Sequence, residues 1–258
     1  MSKEELAVHE ESEAAGFVPF PVDELSLDFS VLGPVAGSAL EVEVLTAAAR
    51  KDRVQDRLAL AEAAGLEPVV IETESNASQL ALGGWQMRSR SSAPSDAVAL
   101  VELGHETMSV KVIAAGEILF EREQGWVARQ LLNRTLRELG MDEDEVRMGP
   151  LNAGLPRAYV EQLVPEHVSA TAREVDRSLQ FFYAGSPGRR LSGLVLAGGA
   201  ASLEGLAASV SQATGISAQV IDPFEGMRLG PDVDRRQLAG QGCAYLQACG
   251  LALRSFER

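Results

Sequence analysis

The sequence predicts an α/β fold, and the order of its strand-like and helix-like segments is the main reason. Three strand-like segments follow one another at Ala97–Gly104, Met108–Gly116 and Gly116–Gly125, and turns containing glycine join them into a meander. A hydrophobic content of 46% gives a chain of 258 residues enough apolar side chains for a real core. We therefore expect a layered α/β domain rather than a helical bundle or a sandwich.

The segments after the meander alternate between helix and strand. The helix predicted at Tyr159–Tyr183 carries one apolar stripe, with apolar residues recurring at alternating steps of four and three. The remaining predicted elements are a helix at Trp126–Leu139, a strand at Leu191–Leu196, a helix at Ser202–Thr214, a strand at Ser217–Asp222 and a helix at Arg235–Leu253.

The first third of the chain predicts a mixture of strands and helices. Its predicted elements are strands at Leu25–Gly33, Ala39–Ala49 and Glu67–Glu74, a helix at Lys51–Ala64, and a helix that starts at Ser75 and ends at Gly83 and Gly84. A polar, serine-rich segment with a proline, Arg88–Asp96, then separates this part from the rest. We place the domain boundary there, between 1–92 and 93–258.

Charge and composition exclude several classes of partner. The net charge is −14 and the sequence pI is about 4.7, so nucleic acid and an anionic membrane surface are both unfavourable partners. No apolar run approaches the roughly 20 residues that span a bilayer, and the charged N-terminus has no signal-peptide pattern. We expect a cytoplasmic protein without direct membrane insertion, in which Cys243 and Cys249 are buried thiols.

A glycine turn after a strand is the first candidate site. In LVLAGGAASLEGL (Leu194–Leu206), an apolar strand runs into Gly198 and Gly199, and a helix-like segment follows Ala200. Such a turn lets a ligand approach the backbone, and free N–H groups at a helix start attract anions. Glycines at a strand-to-helix turn are nevertheless more often structural, so this turn alone does not establish a ligand site.

The second candidate site is the hairpin VELGHETMSVKV (Val101–Val112). Glu102 ends a strand, Gly104 follows, and Thr107 begins the next strand. Such a hairpin can present N–H groups and a hydroxyl to a phosphate, while the carboxylate reaches Mg²⁺ through water. The alternative is a plain β-hairpin with polar turn residues.

Together, the hairpin and the glycine turn resemble the phosphate and adenosine loops of the actin-like (ribonuclease H-like) ATPase fold. The resemblance implies ATP and Mg²⁺ as cofactors. Glu102, Gly104, Thr107, Gly198, Gly199 and Ala200 would then bind the nucleotide, and Glu102 would reach the metal through water. In ETESNASQLALGG, Glu74 matches the residue of that fold that orients the attacking water, which makes it the catalytic candidate.

The closer resemblance is to the PilM family, actin-like cytoplasmic proteins of type IV pilus assembly. It covers about Glu13 to Phe256 and is carried by EAAGFVPFPVDELSLDFSVLG, AARKDRVQDRLALAEAAGLEPVVIETES, LVELGHETMSVKVIAAGEILFERE, VDRSLQFFYAGSPGRRLSGLVLAGGAASLEGLAASVSQATG and ACGLALRSF. It implies a scaffold that binds the N-terminal cytoplasmic peptide of an inner-membrane, PilN-like partner. The scaffold would link that partner to the pilus motor components and so lie at the inner membrane through it.

Three departures from the family pattern bear on the nucleotide. The family's opening segment, with its first phosphate hairpin, is absent, so we expect an actin-like fold lacking most of the first lobe. Residues 1–92 would be the inserted small subdomain plus a remnant of lobe one, and 93–258 would be lobe two. Glu102 stands where the family has Asp, His105 replaces a small residue, and Gly125–Gln130 differs from the usual glycine pair. We therefore expect ATP binding to be weakened or lost, and dimerisation or reliance on a partner.

Several alternatives remain open at this point. One is a functional, Mg²⁺-dependent actin-like ATPase that uses the same residues. Another is a cytoplasmic component of a type II secretion system, a family whose members usually continue into a membrane span. A small-molecule kinase of the same superfamily is a third, although the sequence shows no sugar-binding cluster.

Overall fold

The computed structural model describes residues 16–35, 37–38, 41–89, 96–125, 159–234 and 240–256, with single positions at 9, 13, 133–134, 136–138, 140 and 238. The chain divides into two compact units, Met1–Thr73 and Glu74–Arg258. The boundary proposed from sequence lies after residue 92, and the assignment of the two parts to a subdomain and a lobe stays a prediction. Most of the helix predicted at 126–139 falls outside the described residues.

The first unit is built on an antiparallel hairpin followed by a helix. Strands β1 (Leu25–Pro34) and β2 (Val42–Arg50) pair in antiparallel register, and helix α1 spans Lys51–Ala63. These three elements confirm the sequence predictions. The side chains of the unit are mostly exposed, including nearly all of those on β2.

The prediction of a strand at Glu67–Glu74 is wrong. Residues 66–73 have no regular structure, and helix α2 already begins at Glu74. Val69, Val70 and Ile71 supplied the strand-like signal, yet all three side chains are exposed. An apolar run forms a strand only where a partner strand takes up its backbone hydrogen bonds, and Pro68 removes one donor beside it.

The second unit contains a five-stranded mixed sheet with the order β5-β4-β3-β6-β7. Its strands are β3 (Val98–Leu103), β4 (Thr107–Ala114), β5 (Glu117–Gly125), β6 (Gly193–Ala197) and β7 (Ala218–Val220). The first three form the predicted antiparallel meander, whereas β3, β6 and β7 pair in parallel. Strand β3 lies at the centre, and every one of its side chains is buried.

Helices cover both faces of this sheet. They are α2 (Glu74–Ser89), α3 (Val164–Gly185), α4 (Leu206–Thr214) and α5 (Leu246–Leu253). Helix α3 continues a π-helical turn at Tyr159–Leu163 and packs with α4, and its Phe182 ring contacts Phe120 of β5 edge-on. Helices α2 and α5 pack against each other on the other face of the sheet. Both contact that face by donating hydrogen bonds to Glu102. None of the helices among the described residues has the length and apolarity that crossing a membrane requires.

Two helix boundaries differ from the predictions. Helix α4 begins at Leu206 rather than Ser202, because Gly205 adopts the left-handed conformation and a short 3₁₀ turn occupies Gly199–Ser202. The predicted final helix is divided, among the described residues, into a 3₁₀ turn at Gly242–Tyr245 and α5. In both places a 3₁₀ turn is followed by an α-helix that is shorter than the predicted helix.

Helix α2 continues through Gly83 and Gly84, where the sequence predicted its end. Helix α5 packs closely against this helix. A Cβ atom built on Gly250 of α5 would lie 1.7 Å from the carbonyl oxygen of Ala77, and one built on Gly84 would lie 3.2 Å from Leu253. Glycines at this crossing therefore allow the two backbones to approach, and so position α2 over the sheet.

We expect Gly250→Ala to destabilise the protein by about 1–3 kcal/mol or more, since the new methyl group meets backbone that cannot rotate away. Urea denaturation measures the change. Gly83→Ala is the matched control, because nothing lies within 4 Å of a Cβ at Gly83 and alanine favours a helix by about 0.5–1 kcal/mol over glycine. Equal stability of Gly250→Ala and wild type would contradict the close helix crossing.

Candidate functional site

The predicted nucleotide residues gather at the carboxyl ends of two adjacent parallel strands. Glu102 of β3 pairs in register with Ala197 of β6, the last residue before Gly198. Gly104 and Thr107 bound the turn that follows β3, and Gly198–Ala200 follow β6. The structure thus brings together the two segments that the sequence singled out, while their nucleotide roles stay predictions.

Gly198 is required by close backbone packing. Its φ is +90°, and a Cβ atom there would lie 2.3 Å from the carbonyl oxygen of Leu103 at the end of β3. Its N–H donates to the carbonyl oxygen of Cys243 at 2.8 Å. Gly199 differs, since it is exposed and a Cβ there would meet nothing within 4 Å. Backbone packing therefore explains why position 198 is a glycine. Gly199 has no such explanation and leaves open space beside the turn.

The tip of the β3–β4 hairpin is exposed. The N–H of Gly104 donates to the carbonyl oxygen of Thr107 at 3.0 Å, which closes the turn. Gly104, His105, Glu106 and Thr107 all face solvent. A ligand could reach this backbone, but the acidic side chain of Glu106 at the tip disfavours a phosphate there.

The Glu102 carboxylate is buried, and each of its oxygens accepts from at least one protein donor. Its Oε2 accepts from the Lys111 ammonium at 2.5 Å. Its Oε1 accepts from the Ser78 hydroxyl of α2 at 2.8 Å and from the Gln247 amide of α5 at 3.1 Å. The Glu102 side chain is only 10% exposed. Two helices and the neighbouring strand therefore converge on one carboxylate.

The surroundings of Glu102 do not fit Mg²⁺. A carboxylate that reaches Mg²⁺ through water needs an oxygen open to that water, and both oxygens of Glu102 are already hydrogen-bonded. A buried ammonium beside it also repels a second cation. The role of Glu102 at a metal stays a prediction from resemblance, and the geometry of its carboxylate is that of an ion-paired structural group.

Glu74, the predicted catalytic residue, is the first residue of α2 and is exposed. It lies four residues before Ser78, so both share one face of the helix. Its neighbour Ser75 donates to Oε1 of Glu121 at 2.5 Å. The N-terminal turn of α2 thus lies along the carboxylates of the sheet, and the proposed water-orienting role of Glu74 stays a prediction.

Sequence reasoning missed Lys111, Ser78 and Gln247. Lys111 did leave a signal, because it is a lone charged residue in an otherwise apolar part of its strand. In a tight hairpin it lies two residues beyond the position opposite Glu102, and therefore on the same face. Ser78 and Gln247 lie on helices that are far apart in the sequence, and no pattern in either helix indicated that both contact Glu102.

The predicted burial of the two thiols is confirmed. Cys243 and Cys249 are both free and buried. Burial raises the pKa of each thiol, which keeps it protonated and poorly reactive. Because the carbonyl of Cys243 accepts the Gly198 N–H, this cysteine belongs to the support of the glycine turn.

We expect Gly198→Ala to destabilise the protein strongly and Gly199→Ala to change its stability by less than about 1 kcal/mol. The first substitution combines a positive φ with a backbone clash, whereas the second adds a methyl group to open space. Thermal and urea denaturation compare the two variants. Equal effects would contradict a structural explanation that applies to Gly198 alone.

Comparison with solved structures identifies the fold. One chain of a "PilM-PilN type IV pilus biogenesis complex" matches with a TM-score of 0.80 and 25% identity, over 100% of this chain and 74% of that chain. The ethanolamine utilization protein EutJ from Carboxydothermus hydrogenoformans matches at TM-score 0.55 and 16% identity, over 80% and 62%. MreB 5 of Spiroplasma citri, solved with AMPPNP, matches at 0.50 and 15%, over 81% and 65%. These matches confirm the predicted actin-like α/β fold.

A family comparison covers almost the whole chain. The model of the family "Type IV pilus assembly protein PilM" matches residues 1–256. This range includes the β1–β2 hairpin, the mixed sheet and the two candidate segments at the carboxyl ends of β3 and β6. The chain belongs to the PilM family of type IV pilus assembly proteins.

Proposed function

We propose that this chain is a cytoplasmic scaffold of type IV pilus assembly that binds the N-terminal cytoplasmic peptide of a PilN-like inner-membrane protein. The observation that carries the proposal is the whole-chain similarity, at 25% identity, to a protein solved as part of a PilM-PilN complex. The cytoplasmic location, contact with pilus motor components and a homodimer belong to the same proposal.

The first unit supports peptide binding by what it exposes. Its two-stranded sheet has outer edges without a strand partner among the described residues of that unit. It also exposes many large apolar side chains: Phe17, Phe20, Val31, Leu32, Val35, Val42, Leu45, Leu60, Leu66, Val69, Val70 and Ile71. An extended peptide can pair with such an edge and bury apolar side chains without any catalytic residue.

The charge of the first unit also supports peptide binding there. Residues 1–73 contain 15 Asp and Glu residues against 5 Lys and Arg residues, so most of the net charge of −14 lies in this unit. Opposite charge accelerates association and disfavours wrong partners. A partner peptide that combines apolar residues with Lys or Arg therefore fits this unit best.

Weakened or lost ATP binding is also part of the proposal. The engaged carboxylate of Glu102 and the structural use of Gly198 support it, since both residues have roles that need no nucleotide. The second candidate function is a Mg²⁺-dependent ATPase. The exposed backbone of Gly104 and Gly199 at the ends of β3 and β6 favours it, because a nucleotide could approach there.

Titration of the full chain with a fluorescent peptide tests the scaffold function. The peptide is the N-terminal cytoplasmic segment of the PilN-like protein from the same source, and we expect saturable binding that weakens as salt rises. Leu45→Ser, at a side chain 61% exposed on β2, should weaken binding at least several-fold by removing apolar contact.

Leu251→Ser is the matched control, because Leu251 is similarly exposed, at 51%, but lies on α5 in the second unit. It should leave peptide affinity unchanged. Absence of saturable binding to a folded sample would overturn the scaffold proposal. Equal weakening by both variants would overturn the assignment of the peptide to the first unit.

A further inference from the structure

We infer that the Lys111 ammonium neutralises Glu102 from within the sheet and takes the place of a divalent cation at this carboxylate. The chain then has no Mg²⁺ site at Glu102, and the internal cation instead joins β3, β4 and β5 to the helices that cover them. This inference concerns the second unit alone and does not depend on peptide binding.

Strand register brings the two charged groups together. Glu102 of β3 lies opposite Ser109 of β4, and Lys111 lies two residues further along the same strand. Because alternate residues of a strand share a face, Glu102, Ser109 and Lys111 project from the same side of the sheet. Glu121 of β5 lies opposite Lys111 and joins this face.

The ammonium is surrounded by oxygen atoms. Lys111 Nζ lies 2.5 Å from Oε2 of Glu102, 3.0 Å from Oγ of Ser109 and 3.6 Å from Oε1 of Glu121. An ammonium has three N–H donors, so three oxygen partners match its capacity. The Lys111 side chain is only 3% exposed, which excludes water as the main alternative partner.

Both oxygens of the carboxylate already accept hydrogen bonds from the protein. Ser78 and Gln247 donate to Oε1, and Lys111 donates to Oε2. A divalent ion would have to displace the ammonium into the interior or break the hydrogen bonds that Ser78 and Gln247 donate. Either change leaves a buried polar group unsatisfied, which is strongly unfavourable.

The same interaction fixes helix α2. Ser78 donates to Glu102, and Ser75, one turn earlier, donates to Glu121. Both acceptors are partners of Lys111. The cation therefore determines where two carboxylates lie, and these carboxylates hold the first turns of α2 against the sheet.

Thermal denaturation of four forms of the full chain tests the inference: wild type, Glu102→Gln, Lys111→Met and the double variant. Each is measured in EDTA and in millimolar MgCl₂ at matched ionic strength. We expect Lys111→Met to lower Tm by about 10 °C, because it leaves a buried carboxylate unpaired. The double variant should recover at least half of that loss, since it removes both charges. Mg²⁺ should leave the wild-type Tm unchanged.

Arg177→Met is the matched control for loss of an ion pair. Arg177 pairs with Glu174 at 3.2 Å on the surface of α3, with its side chain 67% exposed, so Tm should change by less than about 2 °C. If Lys111→Met does not fold, folding of the double variant supports the inference.

Two results would overturn the inference. One is a Mg²⁺-dependent rise in the wild-type Tm that Glu102→Gln abolishes, because Glu102 would then be a metal ligand. The other is a Lys111→Met variant as stable as wild type. Binding of Mn²⁺ to wild type, followed by electron paramagnetic resonance with Glu102→Gln as the comparison, decides the metal question if neither Lys111 variant folds.

Discussion

The buried ion pair between Lys111 and Glu102 is the interaction on which the second unit depends. Two charges taken out of water must be paired with good geometry, since an unpaired one costs about 3–5 kcal/mol. The sheet supplies the pair, but α2 and α5 supply the donors to the second carboxylate oxygen. The charged pair is therefore satisfied only when the meander, α2 and α5 are assembled together, although residues 78, 102, 111 and 247 are far apart in the sequence.

Glycine makes this assembly geometrically possible at two places. Gly250 lets α5 approach α2 closely enough for both helices to reach Glu102, and Gly198 lets the end of β6 lie against Leu103. Both contacts are between backbones, which cannot yield as side chains do. A turn that resembles a nucleotide loop in sequence thus has a full structural explanation, while its exposed neighbour Gly199 is left open to a ligand.

Periodicity in the sequence predicted the elements that pack on one face, and it failed where tertiary contacts decide. The meander, the long amphipathic helix α3 and strand β6 were predicted correctly because burial imposes a regular pattern on each. The strand expected at Glu67–Glu74 is absent, and α2 passes through two glycines, because in each case a partner or its absence overrides local preference. The candidate segments could be found from their glycines, whereas the cation beside Glu102 required the register of β3 and β4.

In this member of the PilM family, internal contacts hold the carboxyl ends of β3 and β6. We propose that the acidic first unit, with its exposed apolar side chains, binds the partner. We propose that these strand ends are held without a metal-bound nucleotide. Calorimetric titration of the folded chain with ATP, with and without Mg²⁺, tests that claim most directly. We predict no Mg²⁺-dependent heat of binding. Saturable ATP binding that requires Mg²⁺ and disappears in Glu102→Gln would contradict the account and favour a working ATPase.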